Sequence, residues 1–94
     1  MEAYKEMSPF MLAQIEGEEV RSMENMETLG AKDRVLEYAG SIITHGYLVR
    51  DYYRDTAGEW WYENRAVLDG RIVSMETYLF GRDMTKGKGV RSHT

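Results

Sequence analysis

The hydrophobic positions change their spacing near residue 34. Before it they recur at helical intervals. Ser8-Pro9 opens a helix, because serine caps free amides and proline suits the first helical position. Phe10, Met11, Leu12 and Ile15 supply a short apolar stripe, and Gly17 offers a stop. A second helical stretch is expected from Glu18 to Thr28, with Val20, Met23 and Met26 on one side. Glu18 and Glu19 favour its start, where negative charge suits the helix dipole, and Leu29-Gly30 closes it.

Beyond residue 34 the chain is rich in β-branched and aromatic residues punctuated by glycine turns, which reads as strands. Asp69-Gly70 predicts a two-residue hairpin, whose central positions both need positive φ, and it sets Leu68 opposite Arg71. Asp55-Thr56-Ala57-Gly58 reads as a four-residue loop pairing Arg54 with Glu59. Thr44-His45-Gly46 reads as a three-residue loop. The segment 34–43 is expected as a strand. A helix there would bury Val35, Leu36, Ala39, Ile42 and Ile43 but hold Gly40 at its centre, at a cost of about 1 kcal/mol.

The expected fold is therefore α+β: two short N-terminal helices packed on one face of a three- or four-stranded antiparallel β-meander. One domain is expected over residues 1–83, with a basic, flexible tail over residues 84–94.

Counting outward from the turns places side chains on faces. The inner face collects Tyr47, Val49, Tyr53, Trp60, Tyr62, Ala66, Val73, Met75 and Leu79. The outer face gives the rows Arg54–Glu59–Phe80, Tyr52–Trp61–Tyr78, Arg50–Glu63–Glu76 and Leu48–Arg65–Ser74, with Tyr38 beside Tyr52. Aromatics and opposite charges meet across strands there, as sheets prefer, although Glu63 faces Glu76. An antiparallel sheet usually has one polar face, whereas this one carries an aromatic row framed by charges. Tyr52, Trp61, Tyr78, Arg50, Arg54, Glu63, Arg65 and Glu76 are thus the expected binding residues, of types that concentrate binding energy.

Composition narrows the chemistry. The 94 residues include no cysteine, which removes disulfides and thiolate zinc sites and fits a reducing compartment. His45 and His93 are not at metal-ligand spacing, so neither a metal nor a cofactor is expected. No phosphate-cradling loop, dinucleotide fingerprint or nucleophile elbow occurs. Facing carboxylates at Glu63 and Glu76 invite a catalytic reading, but the pair is expected on an open sheet rather than in a cleft. An enzyme is not expected.

The charge is uneven. Residues 1–30 carry seven acids against two bases, residues 31–83 nine against seven, and residues 84–94 three bases and no acid. An acidic body disfavours a broad phosphate-binding role. The N-terminus lacks the basic and apolar regions of a signal peptide, and the longest charge-free run, Tyr38 to Val49, is 12 residues. A cytoplasmic protein with no membrane partner is expected. The leading functional expectation is protein–protein contact through the aromatic face, including a homodimer. The alternatives are single-stranded nucleic acid stacked on the same row, and an acidic inhibitor presenting Glu16, Glu18, Glu19, Glu24 and Glu27 to a basic partner.

Overall fold

Ser8 and Pro9 start the first helix as their chemistry dictates. In the computed structural model, which describes residues 4–82, the Ser8 hydroxyl accepts the Met11 N–H at 3.2 Å and α1 runs Pro9–Glu16. Gly17 ends it, its N–H bonded to the Ile15 carbonyl.

The next stretch departs from expectation. Residues 18–28 form no α-helix but a short strand, β1 (Val20–Ser22), followed by a 3-10 turn over Met23–Asn25 that Ser22 caps. An isolated helix of that length is marginal in water, and β-branched Val20 suits a strand. β1 instead gains ladder bonds beside a distant strand, with Val20 opposite Trp60 and Ser22 opposite Tyr62, in parallel.

The remaining strands are β2 (Leu36–Thr44), β3 (Leu48–Asp55), β4 (Trp60–Leu68) and β5 (Arg71–Ser74). The sheet order is β1-β4-β3-β2, with β5 also on β4. β1 lies along residues 60–62 of β4 and β5 along residues 65–68, end to end on one edge. The sheet is thus mixed and five-stranded, rather than a pure antiparallel meander of three or four strands. The segment 34–43 is a strand, as expected.

Asp69-Gly70 forms the expected turn, with φ of 52° and 77° and Leu68 opposite Arg71. The other two turns are shifted. Asp55 closes its own loop: its N–H donates to the Glu59 carbonyl, and its carboxylate accepts the N–H groups of Ala57 and Glu59. Arg54 therefore pairs with Trp60 rather than Glu59, a one-residue slip. Thr44 pairs with Leu48, so His45 and Gly46 take the left-handed positions. A bulge follows Tyr38, which pairs with Tyr53 rather than lying beside Tyr52, and Gly40 sits at φ 139°. Any Cβ at Gly40 would lie 3.1 Å from the Met7 Cα, so only glycine lets the N-terminal segment bridge to Ser41 there.

After Ser74 the expected strand does not continue. Ser74 accepts the Thr77 N–H at 3.1 Å, and residues 75–82 form α2. A serine N-cap with an acid in the first turn is a helix start, and here it wins over further strand pairing. One helix is therefore N-terminal and one C-terminal. The expected tail, 84–94, lies outside the described residues.

The slip at Asp55 reassigns the faces, because a one-residue shift sends every side chain of β4 to the other side of β3. The first face carries Tyr52 beside Tyr62 and Arg54 beside Trp60. Here α1 packs, and Met7, Ile15, Tyr52 and Trp60 form the buried core with Met11, Leu12, Ala39 and Ile42 around them. The second face carries Tyr53 beside Trp61, and Asp51 beside Ser41 and Glu63. Segment 26–34 crosses this face, with Ala31 buried and Leu29, Ala31 and Arg34 around Trp61. The expected inner face, which mixed Val49 and Tyr53 with Trp60 and Tyr62, is thus divided between the two sides.

Candidate functional site

The row Tyr52–Trp61–Tyr78 does not exist as a surface. Tyr52 lies in the first-face core, Trp61 is wholly buried on the second face, and Tyr78 belongs to α2. Stacking of bases needs open ring faces, and the chain itself covers Tyr52 and Trp61. Arg50 lies 4.2 Å above the Tyr62 ring and its Nε donates to Asn64 at 3.1 Å. Arg54 lies 5.1 Å from the Trp60 ring. Both arginines thus lid first-face aromatics. Arg65 grips Asp51 through two nitrogens on the second face. Glu63 and Glu76 are not cross-strand partners, yet both line a cavity of about 410 Å³ with Ser22, Glu24, Asn64 and Ser74. The acids Glu16, Glu18, Glu19, Glu24 and Glu27 are all exposed.

The second face is laid with two polar networks that pattern reading missed. In one, Tyr38 and Ser41 share a hydrogen bond of 2.5 Å, and Ser41 donates to the buried Asp51 carboxylate that Arg65 holds. In the other, Arg34 donates from one nitrogen to both Asp55 (2.7 Å) and Glu59 (2.6 Å), while Arg21 donates to Glu59 (2.6 Å). The indole N–H of Trp61 reaches the same Asp55 oxygen at 2.9 Å. Burial pushes the Asp55 carboxyl up, but the bonds from Trp61, Arg34 and the backbone outweigh it and hold the group well below the usual carboxylate range. Glu59 is also lowered, chiefly by its bond to Arg34, and the same bonds, that to Asp55 first, raise Arg34. A carboxylate saturated in this way is a structural anchor rather than a proton carrier. The one local signal for it was an aspartate opening a loop, where its side chain can accept backbone N–H groups two and four residues on.

What remains open lies on α2 and the β2–β3 hairpin. Met75, Tyr78 and Gly81 turn toward the chain; a Cβ at Gly81 would meet Leu68, and Tyr78 stacks on Tyr47 at 5.7 Å. Glu76, Leu79 (53% exposed), Phe80 (65% exposed) and Arg82 face outward. Tyr47 and Ile43, diagonal neighbours on the second face at the hairpin end, are also exposed. Tyr4, Phe10, Leu29 and Val35 are exposed elsewhere.

Among the described residues no helix is long and apolar enough to cross a membrane, and no group of three or more His, Asp or Glu side chains could hold a metal ion. Compared with protein-family models, curated proteins and solved structures, the chain shows no match.

Proposed function

We propose that this chain is a small non-enzymatic binding module that acts through protein–protein contact, with α2 and the β2–β3 hairpin as its contact surface. The outward side of α2 carries this reading. Leu79 and Phe80 are adjacent, large and exposed, on a helix whose opposite side is already packed. Tyr47, which stacks on Tyr78, and Ile43 on the same hairpin are also exposed. A small domain seldom leaves such residues together in water unless something covers them, whereas single exposed apolar residues such as Phe10 are ordinary.

The test is capture on the immobilised full chain. Three baits are compared: the unaltered chain, the control Phe10→Asp, and the double variant Leu79→Asp with Phe80→Asp. The expected result is a protein retained by the first two baits and lost from the third, while circular dichroism shows the fold of all three intact. Identical sets of retained proteins on all three would overturn the reading.

A further inference from the structure

We infer that segment 26–34 is a latched strap, which swings off the second face as a unit while the sheet stays folded. The bonds of Arg34 to Asp55 and Glu59 are its latch, and Trp61 is the surface it uncovers. The strap involves no residue of α2 and is independent of the contact surface proposed there.

Topology makes the segment a strap. β1 and β2 stand at opposite ends of the order β1-β4-β3-β2, so the chain between them must cross the sheet. It passes over Trp61 without joining the ladder. The N–H groups of Leu29, Gly30, Ala31 and Arg34 donate to the carbonyls of Asn25, Glu27, Met26 and Ala31, all within residues 25–34. Its apolar hold is small: Ala31 is buried and Met26 half-buried, but Glu27, Thr28, Leu29, Gly30, Lys32 and Asp33 are exposed. A cavity of about 140 Å³ remains between Leu29, Ala31 and Trp61, so even this contact is not close-packed.

Arg34 supplies what apolar contact does not. Its guanidinium holds Asp55 at 2.7 Å and Glu59 at 2.6 Å, at the end of the strap nearer β2. When this latch parts, Asp55 keeps the N–H groups of Ala57 and Glu59 and the indole N–H of Trp61, and Glu59 keeps Arg21. The loop and the register that Asp55 sets therefore survive the opening. β4 is held otherwise, by strands paired along both of its edges and by the buried Trp60, Trp61 and Ala66. A segment with few buried apolar contacts and no ladder bonds opens at a lower free energy than such a strand.

Amide hydrogen exchange of the full chain, followed by NMR in increasing urea below the unfolding transition, reads the strap directly. The Ala31 N–H should be protected, yet exchange faster than the β4 amides and at a rate nearly independent of urea, because opening exposes little surface. The β4 amides should instead accelerate with the slope of global unfolding. R34Q removes the latch charge and should speed Ala31 exchange at least about tenfold, since hydrogen bonds between charged groups are among the strong ones. Fraying of a local turn would not respond, because the side chain of residue 34 takes no part in the bond from Ala31 to Met26. An Ala31 amide that shares the urea slope of β4 would overturn the strap, since it would then open only with the whole fold. So would an amide as fast as in an unstructured peptide, or an R34Q rate within about twofold of the unaltered chain's. The urea comparison needs no variant, so it decides even where R34Q fails to fold.

Discussion

Replacing Trp61 probes the reassignment of the sheet faces. Had the residue stood on an open binding face, Trp61→Ala would leave folding nearly untouched. Its side chain is instead fully buried, beneath segment 26–34. A tryptophan buries about 150–250 Å². At about 25 cal/mol per Å² that removes about 4–6 kcal/mol, close to the ~3–5 kcal/mol typical of such truncations. Trp61→Phe separates the parts. It keeps most of the apolar burial but removes the indole N–H, leaving Asp55 with Arg34, Ala57 and Glu59 as donors. The loss should be about 1–3 kcal/mol. Total stability for a domain of this kind is about 5–15 kcal/mol, so the alanine variant should lose a large share of it and the phenylalanine variant a smaller one. Urea unfolding followed by far-UV circular dichroism measures both, a slope of about 1–3 kcal/mol/M turning the phenylalanine loss into a midpoint shift near 1 M. A Trp61→Ala loss within the ~0.5 kcal/mol usual for surface changes would refute the burial argument and with it the register at Asp55.

Two further outcomes follow from the same framework. Asp55 is lowered on folding from its ordinary value of 3.8, so the folded state binds fewer protons than the unfolded one. The stability it contributes should be complete above about pH 4 and be lost as the pH falls through the unfolded value toward the folded one. Asp55→Asn should flatten the fall in urea midpoint between neutral and acidic pH, and an unchanged pH profile would contradict the role given to this carboxylate. Gly40→Ala forces a Cβ to 3.1 Å from the Met7 Cα at φ 139°, and should cost about 1–3 kcal/mol. An unchanged melting temperature would mean that Lys5–Met7 do not bridge to Ser41.

Where one dipeptide or one cap decides an element, it was legible. Asp69-Gly70 fixed its hairpin because φ above zero at both positions leaves few alternatives. Ser8-Pro9 fixed α1 in the same way. Ser74 and Glu76 carried an equal signal for α2, but the alternation of the preceding strand invites extension past it. β1 was beyond local reading, because its pairing with Trp60 lies forty residues away in sequence and three residues alone have no period.

The candidate site was misplaced for one reason that lies in the pairs Tyr52-Tyr53 and Trp60-Trp61. Alternation tells a strand's phase only when one face is polar, and here each strand offers an aromatic residue to either side. Both phases bury rings, because α1 covers one face and segment 26–34 the other. Burial therefore leaves the register of β3 against β4 almost undetermined, and polar groups must choose it. Asp55 does so: its carboxylate takes two backbone N–H groups of the loop, which sets Arg54 against Trp60. The same carboxylate then meets the Trp61 indole and Arg34, satisfying the donors that this phase turns inward. In the slipped phase Trp61 would face α1, and its N–H would lose that acceptor, a cost of about 1–3 kcal/mol. With both sheet faces closed by their own chain, exposed apolar area is displaced to the elements that end the sheet. Ser74 begins one of them, and Leu79 and Phe80 lie on it.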